Sequence, residues 1–200
     1  MKLTIFLASQ SPRRLALLQA MGINCILCPA DIDESVLAKE NAQQYVMRLA
    51  QQKASVAWQQ LDTPTHPLLA ADTTVEMQGQ ILGKPNNTDE ARRMLEQLSA
   101  RTHLVHTAVV LVSTQGMKYA LSSSQVTMMD IPTIELTDYV ASGAPFGKAG
   151  GYGIQDWAGT WVSHLSGSFS GVMGLPLYET MMLFRQAGIS LASNQLGHTP

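Results

Sequence analysis

The feature that most constrains this chain is its opening segment. Leu3 to Ala8 is uncharged and mostly apolar, and it runs straight into Ser9-Gln10-Ser11-Pro12-Arg13-Arg14. The apolar part reads as a buried strand. Ser11 suits a helix N-cap, and Pro12 suits the first helical position. Leu15, Leu17, Leu18 and Met21 then follow at helical spacing, with Gly22 as terminator. The chain therefore starts as a strand, a polar basic loop and a helix N-terminus. The apolar stretch is too short for the core of an export signal, so the expected location is the cytoplasm. The longest apolar runs elsewhere, Pro67 to Ala71 and Val109 to Val112, fall far short of the roughly 20 residues that span a bilayer.

The rest of the sequence continues to mix helical and extended patterns. Asn41 with Gln44 resembles a capping box opening a long amphipathic helix, with Val46, Leu49, Ala50, Val56 and Ala57 on one stripe. Leu68 to Met77 reads as a strand interrupted by Asp72-Thr73-Thr74, with a turn at Gly79-Gln80 and a return through Ile81-Leu82. A second capping box, Asn87 with Glu90, precedes a helix marked by Ala91, Met94, Leu95 and Leu98. Two strands, His103 to Val112 and Met117 to Met129, flank Gln115-Gly116. Thr133 is expected to cap a short helix ended by Gly143. Gly143 to Gly153 is glycine-rich, Ile154 to Leu165 holds short strands, and Gly167 to Gly174 reads as flexible. A last helix spans Leu177 to Ala187. With 200 residues, the chain supports one domain, or two small lobes sharing one core, over 1–192, with a frayed tail over 193–200.

Thirteen Lys and Arg stand against 15 Asp and Glu, a net charge of −2. That balance argues against a general nucleic-acid or anionic-membrane surface, so neither partner is expected. Several familiar signatures fail. The segment Gly79 to Pro85 has one residue too few between its glycines for a P-loop and carries Pro where a Ser or Thr would bind magnesium. Cys25 and Cys28 form a lone C-x-x-C with no second pair for zinc, and read as structural thiols. His103 and His106 lie three apart in a strand and face opposite sides, so they share no metal.

Three constellations carry chemistry. The Ser9 to Arg14 loop offers helix N-terminal N–H groups and two arginines to an anion; the alternative is an ordinary capped helix. Asp72 sits in an apolar run, where a carboxylate is costly unless paired or bound to metal; the alternative is a strand ending at a solvent-facing turn. Glu76 follows four residues on, and Asp31, Asp33 and Glu34 add a second acidic cluster. Such oxygens suit magnesium completed by water and phosphate. Lys84-Pro85 and Lys148-Ala149-Gly150 place cations at turns. Lys53, on the apolar stripe, is either a snorkelling edge residue or a cation pointing into a cleft. Together these parts suggest a hydrolase of phosphoesters or phosphoanhydrides.

The sequence also resembles the Maf nucleoside triphosphate pyrophosphatases. The matching pieces are Leu7 to Arg14, Ala71-Asp72-Thr73-Thr74-Val75 and Leu82-Gly83-Lys84-Pro85, followed by Leu98-Ser99 with His103, Lys148 to Gln155, and Gly167-Ser168 to Pro176. The resemblance implies an α/β fold like that of the inosine triphosphatases, a mixed twisted sheet flanked by helices with two lobes around a substrate cleft. It implies hydrolysis of a nucleoside triphosphate between the α- and β-phosphates, a Mg2+ or Mn2+ requirement, nucleotide-pool cleaning with an effect on cell division, and a possible homodimer. By motif position, Asp72, Glu34, Lys53 and Lys84 resemble the catalytic set, with Asp72 and Glu34 as metal ligands; whether Asp72 is general base or ligand stays open. Ser9, Ser11, Arg13, Arg14, Thr73, Lys148 and Gln155 are the implied substrate contacts. Of these, Arg13, Thr73 and Gln155 resemble the dTTP/UTP subgroup rather than the 7-methyl-GTP subgroup. Gln10, Ala100 and Ser170-Gly171 depart from the family pattern. Those departures leave a catalytically weak nucleotide-binding regulator as the second reading.

Overall fold

The computed structural model describes residues 2–190. The expected tail at 193–200, with the last two residues of the expected domain, lies outside the described residues. Strand β1 (Thr4–Leu7) leads into helix α1 (Pro12–Ala20), as the opening pattern predicts. Ser11 is the N-cap, but its side chain makes no capping bond; Ser9 Oγ instead accepts the Ser11 N–H at 3.1 Å. A short strand β2 (Asn24–Leu27) follows, which the sequence pattern did not announce. Helix α2 (Ala42–Gln59) opens with both legs of the Asn41–Gln44 capping box formed.

Strand β3 (Leu68–Met77) is continuous and carries Asp72, Thr73 and Thr74 in mid-strand, so the expected interruption does not occur. Each of the three pairs with β5 (Thr102–Ser113): Asp72 with Ala108, Thr73 with Thr107, Thr74 with His106. The β3–β4 turn is Gln78-Gly79, one residue earlier than expected, and both residues have positive φ, which matches a tight hairpin into β4 (Gln80–Leu82). Asn87 caps α3 (Thr88–Leu98), but only half of the box forms, because Glu90 Oε2 accepts from Asn86 rather than from Asn87. Strand β6 (Gly116–Met128) follows β5 across the expected turn.

Helix α4 (Thr133–Ala141) begins at Thr133, so Pro132 takes the cap position expected for Thr133. Between Ile154 and Leu165 only β7 (Val162–Ser166) forms, preceded by a 3₁₀ turn over Trp157–Trp161. The segment read as flexible holds a short helix α5 (Phe169–Met173), whose N–H of Gly171 is capped by Ser168 Oγ. Helix α6 (Leu177–Gln186) ends the described chain.

The strands form one mixed sheet in the order β2-β1-β3-β5-β6-β7, with β4 hydrogen-bonded to β3. β1 runs parallel to β2 and β3, and the remaining pairs are antiparallel. Alternation along β3 divides the apolar residues between two faces. Leu68 and Ala70 pack with Val46, Ala50 and Ala54 of α2; Leu69 and Ala71 pack with Leu18, Leu183 and Phe184 of α1 and α6. Beyond Thr74, Val75 and Met77 join a third core with α3, α4 and Trp161. β3, β5 and β6 run through these three cores, and Asp72-Thr73-Thr74 falls at the waist between the first two and the third. No helix among the described residues is long and apolar enough to cross a membrane.

Candidate active site

A cleft of about 710 Å³ opens at this waist and is lined by all the site residues anticipated from the sequence, including Ser11, Arg13 and Gln155. Its volume is ordinary for a small-molecule site. The centre is a three-point ion cluster. Asp72 Oδ1 and Glu34 Oε1 each lie 2.6 Å from Lys53 Nζ, and Lys84 Nζ donates to Glu34 Oε2 at 3.0 Å. The Asp72 side chain is 8% exposed and that of Lys53 11%, so their charges are tolerable only as a pair. Lys53 is therefore a cleft cation and not a misplaced core residue. Burial alone would raise the Glu34 pKa, but hydrogen bonds and charge from Lys53 and Lys84 outweigh it and hold the carboxylate below its ordinary value.

Glu34 is selected from its acidic cluster by anchors absent from the sequence reading. Tyr45 donates to the Glu34 carbonyl at 2.9 Å, and Arg48 donates to the Ser35 carbonyl at 2.9 Å while pairing with Glu40 through both carboxylate oxygens. Asp33 is turned toward the Ser35 N–H and hydroxyl. Asp31 lines the cleft without joining the cluster. Glu76 is directed elsewhere, to His106 Nε2 at 3.0 Å.

The other face of β3 meets the opening loop. Arg14 donates through Nε to the Gly174 carbonyl at 2.7 Å, through Nη1 to Ser9 Oγ at 3.1 Å, and through Nη2 to Thr73 Oγ1 at 3.2 Å. Burial pulls its pKa down and the charge of Asp72 acts against that; a guanidinium stays charged regardless. Arg14 is thus a strut tying α1 to β3 and to the end of α5, rather than a free phosphate clamp. Thr107 Oγ1 donates to the Gly171 carbonyl at 2.7 Å, so its 2.9 Å contact with Thr73 makes Thr73 the donor there. Protons then run one way, from Arg14 through Thr73 and Thr107 to Gly171. Arg13 makes a single long bond, to the Gly147 carbonyl at 3.4 Å, which leaves its guanidinium the freer of the two arginines.

The glycine-rich loop closes on β3 where a side chain would not fit. Gly150 has φ +67°, and a Cβ there would stand 2.9 Å from Val75 Cγ2. Its N–H donates to the Gly83 carbonyl at 3.0 Å, next to Lys84. Lys148 is anchored on the Ala144 carbonyl at 2.6 Å and on Asp156 at 2.9 Å. Asp156 carried no signal in the sequence; only this pairing reveals it.

The rejected features stay outside the chemistry. His103 bonds to Tyr152 at 2.7 Å, and burial lowers its pKa to about 4; His106 bonds to Glu76 and Ser123. Both cysteines are free thiols, and burial pushes Cys25 up to about 11. Among the described residues, no group of three or more His, Cys, Asp or Glu could enclose a metal by itself. Asp72 and Glu34 still converge on one cationic point, and magnesium commonly takes only one or two carboxylates beside waters and substrate phosphates. The donor set fits that use.

The chain is similar to known proteins along nearly its whole length. A model of the Maf-like protein family matches residues 4–187. A Methylobacillus flagellatus protein named dTTP/UTP pyrophosphatase is 47% identical over 191 residues, covering 96% of each chain. A Chromobacterium violaceum protein of the same name is 45% identical, covering 94% of this chain and 96% of its own. A Haemophilus ducreyi protein named nucleoside triphosphate pyrophosphatase is 42% identical with the same coverage.

Proposed function

This chain belongs to the Maf-like protein family, and we propose that its cleft hydrolyses nucleoside triphosphates, dTTP and UTP foremost, to the monophosphate and pyrophosphate. The observation that carries the reading is Lys53, held at 2.6 Å by both Asp72 and Glu34 beside the helix N-terminus at Ser11-Pro12. A triphosphate needs cations along its length and an ionised carboxylate near the reacting phosphorus. The cluster supplies both.

A divalent metal, Mg2+ or Mn2+, belongs to this reading, with Asp72 and Glu34 as the residues that would hold it. Bound there, it would offset phosphate charge and lower the pKa of water. The chain's own groups do the rest. Lys53 pairs with both carboxylates, and Asp72 is placed either to ligate the metal or to take the proton of the attacking water. Water oxygen bonds to the α-phosphorus as the bond to the α,β-bridging oxygen breaks. Pyrophosphate leaves with that oxygen, and Lys84 and Arg13 stabilise the charge that develops there. The reaction is set in the cytoplasm, as part of cleaning the nucleotide pool.

The test is to incubate the protein and Asp72→Asn with dTTP, UTP, CTP and 7-methyl-GTP plus magnesium or manganese, and to quantify pyrophosphate and orthophosphate separately. The expected result is pyrophosphate release, fastest from dTTP and UTP, falling at least about hundredfold in the variant. Orthophosphate as the product, or an unimpaired variant, refutes the assignment.

A further inference from the structure

Gln155 lines the cleft with an amide whose two ends have different surroundings. Its nitrogen, Nε2, stands on the side of the Asp156 carboxylate, which receives Lys148 Nζ at 2.9 Å. Its oxygen, Oε1, is enclosed and meets no donor from the chain. The pairing depends on a missing side chain. A Cβ on Gly153 would stand 2.6 Å from Asp156 Oδ2 and 2.7 Å from Gln155 Nε2. Turning the amide over would set Oε1, an acceptor, beside a carboxylate, so the orientation with Nε2 toward Asp156 is favoured.

We infer that Asp156, steadied by Lys148, is a positioning residue that holds Gln155 with its acceptor end reserved for the substrate. The inference rests on the proposal that a nucleotide base enters this cleft. It deepens that proposal by naming the edge that is read. Uracil and thymine carry an N–H at N3, which satisfies a waiting carbonyl oxygen. Cytosine carries an unprotonated nitrogen there, which would set acceptor against acceptor. The contact is blind to the 5-methyl group, so it treats uracil and thymine alike. Its consequence is a preference for either over cytosine.

The test measures affinity for UMP and CMP by calorimetry in the wild type, Asp156→Asn and Asp156→Ala. Monophosphates separate recognition from turnover. The wild type should favour UMP by about tenfold, the effect of one ordinary hydrogen bond. In Asp156→Asn, Lys148 keeps the new carbonyl oxygen, and the new NH2 group faces Gln155. Gln155 then turns its oxygen to that donor and its NH2 toward the base. The UMP-to-CMP ratio should fall by about tenfold or invert. Asp156→Ala, which frees the amide to rotate, should bring the ratio toward one; it carries the test if the first variant does not fold.

A ratio unchanged in folded variants overturns the inference, as does an equal loss of both nucleotides, which is what a purely structural role produces. Pyrophosphate release from UTP is measured on the same wild-type preparation. No release with an intact UMP preference strikes the hydrolase reading and leaves Asp156 in its role. Release with no shift in selectivity does the reverse. A wild type that binds neither nucleotide overturns the inference, and the hydrolase reading then stands or falls on pyrophosphate release alone.

Discussion

Lys53→Met isolates the charge at the centre of the cleft. Methionine keeps an unbranched apolar stem of similar length among the alanines of α2, so packing changes little while the ammonium is lost. What remains is Asp72 Oδ1 and Glu34 Oε1, formerly 2.6 Å from one nitrogen, facing each other without a cation. Deleting one partner of a buried pair costs roughly 3–5 kcal/mol. Glu34 is 38% exposed and retains Lys84, so it can turn outward, which puts the cost near 3 kcal/mol at pH 8. The pH dependence separates charge from packing. In the wild type the Glu34 pKa is lowered, so its contribution is complete above the ordinary carboxylate value and is lost only as pH falls through the lowered one. In the variant two carboxylates repel, and one folded-state pKa rises above its unfolded value. The variant then binds extra protons on folding, so its stability deficit against the wild type shrinks as pH falls from 8 toward 5.5; the lowered His103 pKa destabilises both proteins alike in that window and cancels in the difference. Urea unfolding at several pH values measures this. Pyrophosphate release should fall by about 10²–10³. A stability deficit that is constant with pH would assign the loss to packing and refute the electrostatic account. So would a rate within a fewfold of wild type.

Two further expectations concern residues away from the chemistry. Ala100 has φ +56°, a left-handed conformation that favours glycine, and it joins α3 to β5 outside the cleft. Relief of about 1–2 kcal/mol, less about 0.4–1 kcal/mol for the extra entropy of an unfolded glycine, should make Ala100→Gly more stable by about 0.5–1 kcal/mol at unchanged activity; a lower urea midpoint contradicts this. The Cys25 thiol, pushed up to about 11 by burial, should react with iodoacetamide at pH 8 on the order of a hundredfold more slowly in the folded than in the unfolded protein. Comparable rates in the two states would show that it is not shielded.

Local chemistry made some of this structure readable in advance. The Asn41–Gln44 box is complete within four residues, and both its legs form as read. Lys53 stood out because a cation broke an apolar stripe, and the structure turns that cation into the cleft against Asp72 and Glu34. Features that depend on register or on distant anchors were hidden. β2 was missed because three of its four residues are exposed and show no apolar pattern. Spacing alone could not tell Glu34 from Asp31 and Asp33, because Tyr45 and Arg48, on the following helix, fix the loop; only the family resemblance singled it out. Asp156 was invisible because its meaning depends on Lys148 across a glycine turn. The departure at Gly171 also changes character. Its carbonyl ends the hydrogen-bond chain from Arg14, and a side chain there would meet Ser168 Cβ at 3.1 Å, so the glycine belongs to the site's own packing.

The position of the cleft follows from one alignment that no single segment reveals. Asp72-Thr73-Thr74 would be a costly polar interruption in an isolated buried strand. Register sets Thr73 beside Thr107 and Thr107 beside Ser122, and sets Thr74 beside His106 and His106 beside Ser123. The polar residues of three strands therefore form one band across the sheet, between two sets of apolar cores. Alternation then divides the labour of β3. Asp72 faces α2 and its Lys53, while Thr73 faces α1 and its Arg14. A slip of one residue would exchange those faces, placing the carboxylate against the structural arginine and a neutral hydroxyl against the cleft lysine. Leu68 to Ala71 on one side and Val75 to Met77 on the other resist that slip, because it would also turn each apolar side chain out of its core. The cores thus do more than stabilise the sheet: they hold Asp72 on the face where Lys53 can reach it.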